Sequence, residues 1–241
     1  MNEKVSVVIA AFNEATRIAN VLQAVQHHPL IDEVIVINDG SADNTSEIVK
    51  QFDVTLIENE HNMGKTLTVK RGIEAARNNL IMMLDADLKG LDEESITNLI
   101  KPVVDKQVDW TLSLRGNSFG YMRFFQMDWV SGERVIPKEM LMDPYVWSRP
   151  DVGYGLETLM NKSFLDKNKT FISVYLPNLK VTSKAEKIGL IGGWVGEYKM
   201  VKQITRVMPL HKVIGQFITM ARLNKKYRKQ IAEKSSQTTT A

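Results

Sequence analysis

Short apolar runs alternate with amphipathic stretches from the start of the chain to Leu84. The run from Val5 to Ala10 is continuously apolar and rich in β-branched residues, which favours a buried strand. From Glu14 to Gln26 the apolar residues recur at three- and four-residue spacings, which predicts a helix with one buried face. The same alternation predicts further strands at residues 34–37, 54–57 and 80–84, and further helices at residues 44–52 and 65–77.

Apolar strands that alternate with amphipathic helices are typical of an α/β fold. Such strands are buried on both faces, so we expect a Rossmann-like, mostly parallel sheet with helices on both sides. Ligands bind beyond the carboxyl ends of the strands in such sheets. Polar clusters follow the first, second and fourth predicted strands, at residues 12–14, 39–41 and 85–87. The sequence therefore predicts one site that collects all three clusters.

The pair of carboxylates Asp85 and Asp87 is the most informative of these clusters. Two acids one residue apart at a rigid strand end can share a hard divalent cation, whose other positions go to water and a diphosphate. The alternative is a solvated loop, with Asp92 capping the next helix. Asp39 has a similar alternative, because Asp, Gly and Ser are also common in turns and helix caps.

Composition limits the classes of protein that these patterns allow. The 241 residues include 31 basic and 28 acidic side chains and are 44% apolar, which fits one large domain, or a domain with an appendage, that does not bind nucleic acid. The chain has no cysteine, which excludes disulfides and thiolate zinc sites and is compatible with a reducing cytoplasm. We expect no signal peptide and no spanning helix, because the sequence has no basic N-terminal segment and no long apolar run.

Four short segments resemble the successive motifs of the family 2 glycosyltransferases, which have the GT-A fold. They are residues 5–14, 38–45, 62–65 and 85–87, and they occur in the family's order. The resemblance implies the GT-A fold, a nucleotide-sugar donor, a divalent metal (Mn²⁺ or Mg²⁺) and, in most members, inversion at the anomeric carbon. The donor contacts that it implies are Ala10, Phe12 and Glu14 around the nucleoside, Asp39 at the base, Lys65 at the base or phosphates, and Asp85 and Asp87 at the sugar and metal.

Departure of a nucleoside diphosphate requires positive charge close to its phosphates. Lys65 and Arg115 are the candidate side chains for this role, beside the metal.

The sequence differs from the family's pattern at Asn38, where many relatives carry Asp. The following residue, Asp39, is retained, so we expect donor binding to persist.

Two later segments resemble the acceptor side of small family members that glycosylate polyprenyl phosphate or phosphoglycerate. The first ends in Glu133 and Arg134, which we expect to contact the acceptor. The second ends in Glu157, our candidate for the catalytic base, with Asp151 behind it, although an acceptor that is itself a phosphate needs no base. The alternative for Glu157 is an exposed acid near a helix N-terminus, where the helix dipole favours it.

Many relatives supply a histidine metal ligand after this segment, but residues 181–187 contain none. His211 is the candidate third ligand, in addition to the pair of carboxylates. Lys184 or Lys187 could instead meet the donor phosphates, on a loop that closes when the donor binds.

Bases and apolar residues, without acids, fill residues 200–228 at spacings near the helical repeat. This pattern is typical of a helix that lies in an anionic membrane surface. Tyr121, Phe124, Phe125 and Trp129 could add a second apolar patch near the acceptor site. The alternative is that these aromatic residues belong to the core, and that the basic helix is a solvated face or an oligomer contact.

The predicted organisation follows from these segments, with Pro209 dividing the basic region into two helices. We predict a glycosyltransferase domain at residues 1–185 (donor half 1–115, acceptor half 116–185), a basic amphipathic region at 186–234 and a disordered tail at 235–241.

Two classes of function stay open. The first is a glycosyltransferase, peripheral on the cytoplasmic face of the cell membrane, that moves a hexose or N-acetylhexosamine from a uridine-linked donor to a lipid-linked acceptor or lipid phosphate. A small soluble phosphorylated acceptor such as phosphoglycerate is the nearest rival. The second class is a non-catalytic binding module, for example a subunit of a glycan-synthesis complex. A homo-oligomer is compatible with either class.

Overall fold

The computed structural model describes residues 3–151, 153–182 and 201–239. The strands are β1 (Val5–Ala11), β2 (Ile31–Asn38), β3 (Thr55–Glu58), β4 (Leu80–Asp85), β5 (Leu88–Lys89), β6 (Trp110–Arg115), β7 (Arg134–Pro137), β8 (Phe171–Leu176) and β9 (Lys180–Val181). The helices are α1 (Ile18–Val25), α2 (Thr45–Val49), α3 (Lys65–Ala75), α4 (Glu93–Val104), α5 (Gly120–Phe124), α6 (Lys138–Leu141), α7 (Leu156–Asp166) and α8 (Leu210–Thr239). Residues 201–207 are also helical, and Pro144–Trp147 and Gly153–Gly155 form short 3₁₀ turns.

Seven strands form one mixed sheet in the order β3-β2-β1-β4-β7-β6-β8. β7 runs antiparallel to both of its neighbours, and the other pairs in this sheet are parallel. This arrangement confirms the predicted α/β fold with a mostly parallel sheet. The register sets Ala10 opposite Asp85 and Ala11 opposite Asn38, so the predicted polar clusters meet at one edge of the sheet.

Helices cover both faces of the sheet, as predicted. Successive strand residues point to opposite faces, so Val7 packs with α1, α2 and α4, whereas Val8 packs with α3, α7 and α8. The buried positions Ile18, Val21, Leu22 and Val25 confirm the predicted apolar face of the first helix. That helix begins later than predicted because the chain turns over residues 14–17, where Thr45 accepts a hydrogen bond from the amide of Glu14.

The C-terminal helix α8 packs against the sheet through one face. Val213 and Met220 lie in the core, and the side chain of Asn224 accepts a hydrogen bond from the backbone of Ser173 on β8 and donates one to Gln126. The apolar positions on this face therefore contact the domain, which neither the membrane-surface prediction nor its alternatives included. The divided helix agrees with the break predicted at Pro209, and α8 runs on through residues 235–239, where a disordered tail was predicted.

The predicted aromatic patch divides into two parts. Trp129 is buried and belongs to the core, whereas Tyr121, Phe124 and Phe125 are exposed on and after α5. Within the part of the chain that the structure describes, no helix is both long enough and apolar enough to cross a membrane.

Candidate active site

The carboxylate of Asp39 holds the loop that leads into α3. Its Oδ1 accepts hydrogen bonds from the backbone amide of Met63 and the side-chain amide of Asn59, both at 2.8 Å, and its Oδ2 accepts one from the amide of Gly64 at 2.9 Å. Gly64 has a φ of +86°, a conformation that favours glycine. The buried Asp39 therefore fixes the point at which α3 begins, and with it the position of Lys65.

Asn38 has a structural role at the end of β2 and uses both its amide donor and its amide acceptor there. Its buried side-chain NH₂ donates to the hydroxyl of Ser46 at 2.6 Å, and its Oδ1 accepts from the amide of Ser41 at 3.2 Å and from the Ser41 hydroxyl. An ionised carboxylate accepts hydrogen bonds but donates none. The departure from the family's pattern at this position thus ties the end of β2 to α2.

The residues expected around the nucleoside surround the end of β1. Ala10 is half-buried beside Asp85, Phe12 is 45% exposed, and Glu14 is buried with its carboxylate hydrogen-bonded to Arg17. Asn13 between them has a φ of +56° and accepts a hydrogen bond from the amide of Ala42. This contact joins the first and second polar clusters.

Three side chains form the centre of the site, and we call them the Lys65 cluster: Lys65, Asp85 and Glu157. The ammonium Nζ of Lys65 lies 2.9 Å from Asp85 Oδ1 and 3.0 Å from Glu157 Oε1. Burial alone would lower the pKa of Lys65, but the charges of Asp85 and Glu157 outweigh it and raise that pKa above its ordinary value. The donor-side acid and the acceptor-side acid are therefore joined by one protonated lysine.

Glu157 is 2% exposed, so the alternative of a solvent-exposed acid is wrong. It occupies the first turn of α7, where the partial positive charge of the helix N-terminus stabilises its ionised form. The buried carboxylate is thus held in place by both the helix and Lys65.

The surroundings of Asp85 fit a divalent cation. A β-carbon added at Gly132 would lie 2.9 Å from both carboxylate oxygens of Asp85, so the glycine places no side chain against that carboxylate. Asp87 follows on the same strand end, and carboxylate oxygens suit Mg²⁺ or Mn²⁺. Among the described residues, no three His, Asp or Glu side chains form a group that could hold a metal, so the structure does not bring His211 to the pair.

A second set of charges lies behind the Lys65 cluster, and we call it the Arg115 cluster: Arg115, Asp128 and Glu133. The Nη2 of Arg115 lies 2.9 Å from Asp128 Oδ2, and its Nη1 lies 3.6 Å from Glu133 Oε1. Both acids are fully buried. Burial would lower the pKa of Arg115, but Glu133, Asp128 and Asp85 raise it above its ordinary value.

Glu133 does not face an accessible surface in this structure. Its Oε2 accepts hydrogen bonds from the hydroxyls of Ser113 at 2.6 Å and Ser131 at 2.7 Å. The predicted acceptor contact is therefore a buried acid that joins β6 to β7. Asp128, which the sequence analysis missed, stands in an aromatic stretch that gave no signal for a buried charge.

Arg134 is also fully buried, at the start of β7. Its guanidinium donates to the backbone carbonyls of Ser131 and Trp129 and to Asn161 Oδ1, at 2.7 to 2.9 Å. Burial lowers its pKa to about 10, a value at which it stays protonated at neutral pH. These contacts make Arg134 a support for the loop that carries Gly132.

The other candidates lie outside these clusters. Asp151 is exposed and pairs with Arg149, and His211 is exposed in the first turn of α8. Lys184 and Lys187 lie outside the residues that the structure describes.

Comparisons with known proteins agree on the family and the fold. The model of glycosyl transferase family 2 matches residues 6–163. A poly-beta-1,6-N-acetyl-D-glucosamine synthase of Staphylococcus epidermidis is 37% identical over 90 residues, which cover 35% of this chain and 22% of the relative. A dolichyl-phosphate beta-glucosyltransferase of Trichomonas vaginalis is 37% identical over 94 residues, which cover 33% of this chain and 28% of the relative. The chain thus spans about a quarter of the length of these two relatives.

Solved structures match over most of the chain. The glucosyl-3-phosphoglycerate synthase of Mycobacterium tuberculosis, in complex with Mn²⁺, UDP and glucosyl-3-phosphoglycerate, has a TM-score of 0.64 at 18% identity and covers 85% of this chain and 80% of its own. Its complex with Mg²⁺ and UDP has a TM-score of 0.65 at the same identity, over 85% of this chain and 79% of its own. At this identity the likeness establishes the fold.

Proposed function

The chain belongs to glycosyl transferase family 2, and from that membership we propose that it transfers a hexose or N-acetylhexosamine from a uridine-linked nucleotide sugar to a lipid-linked or lipid-phosphate acceptor. We further propose that the transfer inverts the anomeric carbon, depends on a divalent metal and takes place at the cytoplasmic face of the cell membrane. The observation that carries the proposal is the Lys65 cluster, in which one lysine lies within 3.0 Å of an acid on each side of the reaction centre.

The donor would bind where the ends of β1, β2 and β4 meet. Ala10, Phe12, Glu14 and Asp39 would line the nucleoside, and Lys65, held at the start of α3, would face the diphosphate. A protonated lysine next to a departing diphosphate stabilises the negative charge that develops there. Because two acids keep Lys65 protonated, it can supply this charge across the physiological pH range.

Asp85 and Asp87 would hold the divalent metal, which when bound neutralises charge on the leaving diphosphate. Arg115 would add a second positive charge near Asp85, since the charges of these two side chains attract each other. Glu133 would hold Arg115 in position, and Arg134 would hold the loop that carries Gly132. Neither residue would contact the acceptor.

Glu157 would remove the proton of a hydroxyl acceptor. Its carboxylate lies next to Lys65 and is shielded from water, as a general base at a displacement centre should be. Lys65 also pairs with Glu157. If a donor phosphate attracted the ammonium of Lys65, the carboxylate of Glu157 would be released from this pair and could accept the proton of the acceptor.

Two features support a lipid acceptor. A relative with which the chain shares 37% identity over 94 residues is named for dolichyl phosphate, a lipid phosphate. The aromatic residues on α5 are exposed, which suits contact of the protein with an apolar phase. Phosphoglycerate is the second candidate, because the synthase whose fold this chain shares was solved with glucosyl-3-phosphoglycerate.

Donor turnover is the direct test. Purified chain is incubated with a panel of nucleotide sugars and Mn²⁺, and release of the nucleoside diphosphate is measured with polyprenyl phosphate, with phosphoglycerate and without acceptor. We expect turnover of a UDP-sugar that polyprenyl phosphate increases and that chelation of the metal abolishes.

The matched variants are Asp87→Asn in the site and Asp105→Asn at the exposed end of α4. We expect Asp87→Asn to lose turnover and Asp105→Asn to keep it. Nucleotide binding by wild-type protein without turnover of any donor would favour the non-catalytic module instead. Stimulation by phosphoglycerate alone would replace the lipid acceptor with the soluble one.

A further inference from the structure

Four aromatic rings stand exposed on α5 and beside it, and we call them the aromatic patch: Phe119, Tyr121, Phe124 and Phe125. Phe124 is 81% exposed and the other three are about half exposed. The rings touch one another, with 5.1 Å between the centroids of Phe124 and Phe125 and 6.0 Å between those of Phe119 and Tyr121. Contiguous apolar surface of this kind marks an interaction site more often than a free surface.

The patch continues onto α8 through Phe217. The ring centroid of Phe217 lies 5.8 Å from that of Tyr121 and 5.5 Å from that of Phe125. Beside it, Ile214 and Ile218 are exposed on the outer face of α8. At spacings of three or four residues the same face continues into bases, and we call this line the α8 stripe: Ile214, Ile218, Arg222, Lys225 and Lys229.

The charge around these residues is mainly basic, although Lys229 at the end of the stripe lies 3.7 Å from the carboxylate of Glu233. Residues 201–232 contain no acid, and neither do residues 116–127. Between the patch and α8 lies a groove of about 510 Å³, lined by Arg123, Phe124, Tyr175 and Arg228 among others. Guanidinium groups and aromatic rings therefore share one opening, which suits a phosphate headgroup attached to an apolar tail.

We propose that the aromatic patch and the α8 stripe form one docking surface for an anionic lipid membrane. Aromatic rings favour the level of the lipid headgroups, and bases near an anionic leaflet are attracted to it. The surface rests on the proposed function in that it would bring a lipid acceptor to the site. It differs from the sequence-based prediction, because α8 uses its buried face for the core and offers the membrane its outer face.

The surface adjoins the proposed reaction centre. Gln216 on α8 donates a hydrogen bond of 3.1 Å to the carbonyl of Thr158, the residue after Glu157. The segment of the aromatic patch follows β6 directly, and Ser118 in that segment accepts a hydrogen bond from the amide of Arg115. The elements that carry the docking surface therefore also contact, through their buried sides, the segments that carry Glu157 and Arg115.

Co-sedimentation of the full chain with vesicles tests the inference without any donor. We use phosphatidylcholine vesicles with and without phosphatidylglycerol, at low and high salt. We expect binding only to the anionic vesicles and weaker binding at high salt. Phe124→Ser should weaken it about tenfold, and the double variant Arg222→Gln with Lys225→Gln about thirtyfold.

Matched controls lie elsewhere on the molecule. Met142→Ser removes an exposed apolar side chain outside the surface, and Lys101→Gln with Lys106→Gln removes two bases on the opposite face of the sheet. We expect both controls to bind vesicles as the wild type does. Equal binding by Phe124→Ser and wild type, or no binding to any vesicle, would overturn the docking surface. So would a dimer in solution that Phe124→Ser dissociates, since the patch would then join two copies.

Donor hydrolysis without acceptor separates this inference from the proposed function. We expect Phe124→Ser to hydrolyse the donor as the wild type does while it loses vesicle binding. A different outcome is that the chain binds vesicles through Phe124 but does not turn over any donor. That result would support the docking surface and contradict the proposed transferase activity.

Discussion

The Lys65 cluster and the Arg115 cluster lie at the same edge of the sheet and contain the same kinds of charges, but they differ in access to solvent. In the Lys65 cluster, the side chains of Lys65 and Asp85 are 29% and 25% exposed and only Glu157 is buried. In the Arg115 cluster, both acids are fully buried and Arg115 is 12% exposed. Charges that keep access to solvent can exchange partners with a ligand. In the Arg115 cluster, Asp128 Oδ2 and Glu133 Oε2 accept hydrogen bonds from the protein, whereas Asp128 Oδ1 and Glu133 Oε1 are buried without a hydrogen-bond partner. Buried charges that are paired within the protein chiefly hold a shape.

This difference assigns separate tasks to neighbouring residues. In the Lys65 cluster, the partners of the lysine are acids that a donor, a metal or an acceptor could replace. In the Arg115 cluster, the partners are serine hydroxyls and buried carboxylates on β6 and on the segment between β6 and β7. We therefore expect substitutions in the first cluster to affect turnover, and substitutions in and around the second to affect stability.

The largest expected effect is that of Glu157→Gln on turnover with a hydroxyl acceptor. The amide keeps the size of the side chain but cannot take a proton, so kcat should fall about a thousandfold. Glu139→Gln on α6, which changes an exposed acid, should leave kcat unchanged. A fall of less than about tenfold would contradict the base assignment and favour an acceptor that is already ionised, such as a phosphate.

The second effect is that of Arg134→Met on stability. The substitution leaves the carbonyl of Ser131 and Asn161 Oδ1 without their buried donor, whereas the carbonyl of Trp129 keeps a hydrogen bond from Asn161 Nδ2. The free energy of unfolding should therefore fall by about 3 kcal/mol, measured by urea denaturation. Arg149→Met at an exposed ion pair should change it by less than about 0.5 kcal/mol. If Arg134→Met instead raised only the acceptor KM, Arg134 would belong with the acceptor contacts.

A smaller effect tests the link between the two clusters. In Gly132→Ala the new β-carbon would meet the end of the Asp85 side chain, which can turn away, so the fold should tolerate it. We expect kcat to fall about tenfold and the Mn²⁺ concentration for half-maximal activity to rise, with little change in urea stability. Gly215→Ala, where the added carbon meets open space in α8, should leave both kinetic values unchanged. Unaltered metal dependence in Gly132→Ala would remove Asp85 from the metal site.

The smallest expected effect concerns the pH dependence of stability at Asp143, a carboxylate outside both clusters. Hydrogen bonds from Lys167 and then Ser163 lower the pKa of Asp143 to about 2. A folded-state pKa below the unfolded value gives stability that is complete above about pH 4 and is lost as the pH falls towards 2. Asp143→Asn should therefore lower the free energy of unfolding by about 1 kcal/mol at pH 7 and by almost nothing near pH 2.

The control for this prediction is Asp166→Asn, which removes one partner of an exposed pair on α7. It should change stability by less than about 0.5 kcal/mol at either pH. An Asp143→Asn effect that did not diminish on acidification would mean that the charge of Asp143 is not its source.

Local pattern predicted the first four strands and the first three helices because local sequence carries the relevant signal. β-branched runs such as Val5–Ala11 and the spacing of Ile18, Val21, Leu22 and Val25 specify a buried strand and a helix face regardless of their neighbours. The start of α1 was missed because it depends on a distant group, the hydroxyl of Thr45. Burial of Asp128 and Glu133 was missed for the same reason, since their partners come from other segments of the chain.

The sequence by itself determined the family, the order of strands and helices as far as β4, and the edge of the sheet at which the polar clusters meet. Only the tertiary structure decided which charges at that edge are accessible. It did so through the antiparallel insertion of β7 between β4 and β6, which buries Glu133 and Arg134. It also set Lys65 between Asp85 and Glu157, which are 72 residues apart in sequence. Periodicity reports which way a side chain points along its own element, whereas its partners depend on which elements become neighbours.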